Sequence, residues 1–174
     1  NQMIHWLTFA LAKHLTGNFK EAVDIIDIYK GTLDKDALEV TRGFEGSELA
    51  LYQNELIAKI PNNYMNALQH LESHRHIIVD EFSYWSLRGS YLLFLSRFDD
   101  AVHVYMHLLK MGLTENYSTH TGIMCAILRI TDPDTLTQAL TRRDGMETLA
   151  TMFPLSTDQR LLLLRFYLDT LAKL

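Results

Sequence analysis

The stretch that decides the fold is residues 85–105, WSLRGSYLLFLSRFDDAVHVY. Apolar and small residues recur in it at helical spacing: Trp85, Gly89, Leu92, Phe98, Ala101 and Tyr105. Small residues at Gly89 and Ala101 allow two antiparallel helices to approach closely, because a larger side chain at either place would push them apart. The stretch therefore predicts a hairpin of two packed helices.

This order of residues is that of the tetratricopeptide repeat, in which Trp, a small and an apolar residue on one helix precede an aromatic, an Ala and an aromatic on the next. The frame recurs near the start of the chain at Trp6, Phe9, Ala10, Gly17, Phe19, Ala22 and Ile26. A weaker copy carries Leu51, Ala58, Tyr64, Ala67 and Leu71. Ala101 follows Ala67 by 34 positions, the length of one such repeat.

We therefore predict an all-α solenoid of tetratricopeptide-type helical hairpins, wound as a right-handed superhelix of about nine helices. Residues 1–174 are expected to form a single solenoid that is a fragment of a longer chain. The repeats are placed at about residues 3–32, 48–78 and 82–113, with a degenerate repeat at 114–151 and a tail helix at 156–174. The residues expected to pack the helices together are Trp6, Ala10, Ala22, Ala67, Trp85, Gly89, Ala101 and Tyr105.

Composition and charge exclude several classes of protein. The chain is 48% hydrophobic and 21% charged with a net charge of −5, which is typical of a globular protein. No apolar run approaches the roughly 20 residues of a membrane span, so no membrane contact is expected. No Lys/Arg run exceeds Arg142-Arg143, which disfavours DNA and other broad nucleic-acid binding. The lone Cys125 indicates a reducing compartment, and the cytoplasm is the predicted location.

No catalytic, cofactor-binding or metal-binding residues are predicted. The pairs His103/His107 and His70/His74 have i, i+4 spacing, but neither has a carboxylate or cysteine placed to complete a tetrahedral site. Cys125 lies in an apolar helical pattern and is interpreted as a packing residue. Phosphate-binding glycine loops and the acetyl-CoA-binding type of loop are missing from the sequence. The chain is therefore not expected to be an enzyme.

The candidate binding surface is the groove that the first helix of each hairpin lines in such solenoids. The residues expected to face it are Leu7, Leu11, Leu49, Tyr52, Leu56, Leu93 and Phe94. A groove for an acidic peptide tail would carry basic residues instead. Two interpretations remain open: this apolar wall packs a helix from a partner or from further repeats, or the superhelix closes upon itself.

One segment is more specific than the repeat signature. Ser47-Glu48-Leu49-Ala50-Leu51-Tyr52-Gln53-Asn54, together with residues 5–15 and the run Ala67-Leu68-Gln69-His70-Leu71, resembles the auxiliary, ribosome-anchoring subunit of the N-terminal acetyltransferase A complex. The likeness continues through Gly89, Leu92-Leu93, Arg97, Asp100-Ala101, Val104-Tyr105 and Glu115-Asn116-Tyr117. It covers most of the chain, and residues 132–151 depart from it.

The resemblance implies a non-catalytic scaffold that holds a separate catalytic acetyltransferase subunit and docks it at the ribosome. There the catalytic subunit transfers acetyl groups from acetyl-CoA to the α-amino groups of nascent chains. A generic adaptor that binds a partner helix or peptide is the alternative. The scattered basic residues Lys13, Lys20, Lys30, Arg75, Arg88 and Arg97 could contact ribosomal RNA or form ordinary solvated surface.

Overall fold

The structure, a computed structural model, describes residues 2–33, 43–112, 116–144, 147 and 158–173. Within these ranges it contains nine α-helices and no strand, so the predicted all-α fold is confirmed. The helices are α1 (Gln2–Leu15), α2 (Phe19–Gly31), α3 (Phe44–Lys59), α4 (Tyr64–Ser73), α5 (Glu81–Phe94), α6 (Phe98–Lys110), α7 (Tyr117–Leu128), α8 (Pro133–Thr141) and α9 (Asp158–Ala172). None of these described helices is long and apolar enough to cross a bilayer.

The chain divides into two compact units, Asn1–Tyr84 and Trp85–Leu174, and each is described by itself. The expected single solenoid over residues 1–174 and the repeat bounds stay predictions. Short turns separate α1 from α2, α3 from α4 and α5 from α6, as hairpins of antiparallel helices require.

The core of the first unit lies where α1, α2 and α3 meet. Its buried residues are Ala10, Ala22, Ile25, Ile26, Tyr29, Leu49 and Leu56. Ala10 and Ala22 are both 0% exposed, so their small side chains set the close approach of α1 and α2. Trp6 is partly buried against this core, with its ring 6.2 Å from that of Tyr29. Ala67 is buried in the same way on α4.

In the second unit, the aromatic ring of Tyr105 packs between two glycines on neighbouring helices. Tyr105 on α6 is 5% exposed and faces Gly89 on α5 and Gly122 on α7. A Cβ added at Gly89 would lie 2.8 Å from the Tyr105 ring, and one added at Gly122 would lie closer still. Ala101, on the same helix, is fully buried. The predicted close packing at Gly89 therefore has a defined cause, and Gly122 makes a matching contact that the repeat frame does not include.

Capping side chains fix the starts of two helices in the second unit. The Asn116 side chain accepts hydrogen bonds from the backbone N–H groups of Ser118 and Thr119 at the start of α7. The Asp132 side chain accepts one from the N–H of Asp134, with Pro133 as the first residue of α8. Helix α9 is joined to α7 by a 2.7 Å hydrogen bond between the Tyr167 hydroxyl and Nδ1 of His120.

Candidate partner-binding surface

Three consecutive residues of α3 reach three different helices. The Tyr52 hydroxyl lies 3.1 Å from Nδ1 of His14 on α1. Gln53 turns towards α2, and Asn54 turns towards α4. Successive residues of a helix point about 100° apart, so this segment can join α3 to neighbours on three sides. The Tyr52-Gln53-Asn54 segment is therefore a structural junction.

Gln53 uses its whole hydrogen-bonding capacity inside the protein. Its side-chain nitrogen donates to Oδ1 of Asp27 at 2.6 Å and to the carbonyl oxygen of Val23 at 3.5 Å. Its side-chain oxygen accepts from Nζ of Lys30 at 2.5 Å and from Nε2 of His70 at 3.2 Å. The residue is 1% exposed, and a buried amide is tolerated because its donors and acceptors are paired.

The partners of Asn54 determine which nitrogen of His70 carries the proton. The Asn54 amide nitrogen donates to the carbonyl oxygen of Ala67 at 2.8 Å and lies 3.1 Å from Nδ1 of His70. Since an amide NH₂ can only donate, Nδ1 is the acceptor and Nε2 carries the hydrogen given to Gln53. Burial, then the neighbouring His74 and Lys30, lower the pKa of His70 from 6.5 to about 3, so the ring is neutral.

Two ionisable neighbours complete this junction. Burial lowers the pKa of Lys30, an effect that the charge of Asp27 opposes. His74 stacks on His70 with ring centroids 4.1 Å apart, and its Nδ1 lies 2.8 Å from the carbonyl oxygen of His70. Burial lowers the pKa of His74 as well. The junction holds α2, α3 and α4 together, and its polar atoms are engaged with each other.

An apolar cleft of about 440 Å³ opens between α1 and α3 on the other side of Tyr52. Its lining residues are Met3, Leu7, Leu11, Glu45, Glu48, Leu49 and Tyr52. The structure thus brings together four predicted groove residues, namely Leu7, Leu11, Leu49 and Tyr52. Leu11 is 45% exposed, and Leu49 is buried at the floor. The sequence analysis did not identify Met3 or the two glutamates as lining residues.

The other predicted groove residues do not form an open surface. Leu56 is fully buried in the core of the first unit with Ala10 and Ala22, so its expected place on the groove is corrected. Leu93 is also fully buried, and Phe94 is partly buried. The physical reason for the burial of Leu56 is that its side of α3 packs into the core formed with α1 and α2.

The residues considered for metal or thiol chemistry are not assembled into sites. Across the described ranges, no three His, Cys, Asp or Glu side chains come together as ligands of a metal ion. His103 is exposed, and His107 lies against Trp85 with ring centroids 4.6 Å apart. Cys125 is fully buried, and burial raises the pKa of its thiol to about 12. A fully buried cysteine behaves as a small apolar side chain that packs in the core.

Comparison with known proteins identifies a family and several relatives that the chain resembles. Residues 44–170 match the family described as "N-terminal acetyltransferase A, auxiliary subunit". The chain is 32% identical over 123 residues to the N-terminal acetyltransferase A complex auxiliary subunit NAA15 of Arabidopsis thaliana, which covers 71% of this chain and 14% of that protein. It is 27% identical over 126 residues to the N-alpha-acetyltransferase 16, NatA auxiliary subunit, of Mus musculus, covering 72% and 14%.

A solved structure is similar in both sequence and fold. The structure of Naa15/Naa10 bound to HypK-THB contains a chain that is 30% identical, with a TM-score of 0.57, over 89% of this chain and 22% of that one. The chain thus spans a small part of the length of the relatives that it matches. The family match extends over α3 to α9, which includes the Tyr52-Gln53-Asn54 junction. The chain therefore belongs to the family of auxiliary subunits of N-terminal acetyltransferase A.

Proposed function

We propose that this chain is part of a non-catalytic scaffold subunit of a co-translational N-terminal acetyltransferase complex, which holds the catalytic subunit and docks it at the ribosome in the cytoplasm. Membership of the auxiliary-subunit family carries the proposal. In the proposed complex, the catalytic subunit moves the acetyl group from acetyl-CoA to the α-amino group of a nascent chain. The scaffold contributes position and no reacting group.

The geometry of the chain supports a holding role. The junction at Gln53 and Asn54 holds α3, one of the two helices that border the cleft, against α2 and α4. The cleft itself is open and mostly apolar, and exposed apolar patches are a common feature of interaction sites. A preformed apolar wall binds a partner with little loss of conformational entropy on its own side.

The test is co-purification of the full-length protein with the catalytic subunit. Both are expressed together, the auxiliary subunit is captured, and acetyl transfer from acetyl-CoA to a peptide α-amino group is measured in the eluate. We expect the catalytic subunit to co-elute and its activity to be retained. Capture without any catalytic subunit, and with a peptide-tail protein bound in its place, would favour the generic adaptor.

Docking at the ribosome is tested separately. Ribosomes are sedimented through a sucrose cushion with and without the full-length auxiliary subunit, and the catalytic subunit is quantified in the pellet. The proposal expects the catalytic subunit to pellet only when the auxiliary subunit is present. Equal pelleting of the catalytic subunit in both cases contradicts the docking role and leaves the holding role intact.

A further inference from the structure

We draw no further inference here: the strongest candidate, the polar pocket of about 260 Å³ that Arg97, Asp99 and Arg129 border between the start of α6 and the end of α7, is a helix N-terminus beside acidic side chains, and nothing in the part of the chain that the structure describes shows what would occupy it.

Discussion

At the scale of single residues, the contact of Tyr105 with Gly122 can be tested by adding one methyl group. Gly122→Ala places a Cβ against the Tyr105 ring, and because the ring is also in contact with Gly89 it cannot move aside. We expect a loss of about 1–3 kcal/mol in the free energy of unfolding, measured by urea denaturation. Gly31→Ala is the control, because no atom lies within 4 Å of its added Cβ and Ala is favoured in a helix.

If Gly122→Ala unfolds at the same urea concentration as the wild-type chain, the ring does not occupy the space between the two glycines. The variant Gly122→Ala/Tyr105→Leu gives a second measurement. A smaller side chain at position 105 should relieve part of the clash, so the two substitutions should be non-additive.

The neutral His70 makes the stability of the chain depend on pH. Its pKa of about 3 in the folded chain lies below the ordinary 6.5, so the unfolded chain binds a proton below pH 6.5 that the folded chain does not bind. Stability is therefore complete above about pH 6.5 and decreases as pH falls towards 3. His74, whose pKa is also lowered, acts in the same direction.

Thermal melts between pH 4 and 7.5 measure this dependence. His70→Gln should melt at a lower temperature than wild type at pH 7, because its contacts with Gln53 and Asn54 are lost, and its melting temperature should change less with pH. His103→Gln, at an exposed residue of α6, should keep the wild-type dependence. An unchanged pH dependence in His70→Gln would show that the ring is not protonated on unfolding.

At the scale of elements, two of the hairpin turns each contain one residue with a left-handed backbone conformation. Gly17, two residues after the end of α1, has φ +79°, and Ser96, two residues after the end of α5, has φ +59°. Both turns have the same pair of backbone hydrogen bonds, which at Ser96 are Ser96 N–H to Leu93 O and Arg97 N–H to Leu92 O, each 2.9 Å. Glycine adopts this conformation without the steric cost that a Cβ brings.

We expect Ser96→Gly to stabilise the chain by about 1 kcal/mol in urea denaturation, because the strain of a non-glycine residue at this position is removed. Gly17→Ser should destabilise by a similar amount. Ser90→Gly is the matched control: the same substitution inside α5 should destabilise by about 0.5–1 kcal/mol. Equal effects at Ser96 and Ser90 would contradict a special role of the turn.

The sequence predicts the hairpins well because their signals are local. The spacing of apolar residues and the small residues Ala10, Gly89 and Ala101 depend only on the geometry of one pair of helices. Contacts between one helix pair and the next are harder to predict from the sequence. Leu56 has the helical position of a groove residue, yet it is fully buried because it lies in the core where α1, α2 and α3 meet. The spacing of apolar residues within one helix does not predict how neighbouring helices pack around it.

The junction at Gln53 shows a second limit. Its partners Asp27, Lys30 and His70 lie 26, 23 and 17 residues away along the chain, so no short motif connects them. The sequence contains one indication of this junction, namely the polar pair Gln53-Asn54 within an apolar helix face. Such residues are buried only when their hydrogen bonds are satisfied, so the pair indicates partners on neighbouring helices. Leu7 and Leu11 could be assigned to the cleft from the sequence, because they share a face of α1. Glu45 and Glu48 could not, because their place beside the cleft depends on how α3 packs against the other helices.

At the scale of the whole molecule, most of the scattered basic residues are engaged within the chain. Lys13 pairs with Glu21 at 2.6 Å, and Arg97 pairs with Asp100 at 2.8 Å. The remaining contacts join Lys30 to Gln53, Arg75 to Glu81, and Arg88 to the face of Trp85. Lys20 is exposed. With a net charge of −5, this arrangement favours ordinary solvated surface over a phosphate-binding patch.

The corresponding prediction concerns ribosome association of the full-length protein. Lys13→Gln, Lys20→Gln and Arg97→Gln combined should leave the association constant within about twofold of wild type, because none of the three residues is expected to contact a phosphate. The assay is co-sedimentation with ribosomes at a series of salt concentrations. If the three residues do bind RNA, the slope of log K against log salt should decrease by about one unit per lost contact. An unchanged slope would show that Lys13, Lys20 and Arg97 make no phosphate contact, as their engagement and exposure within a net acidic chain predict.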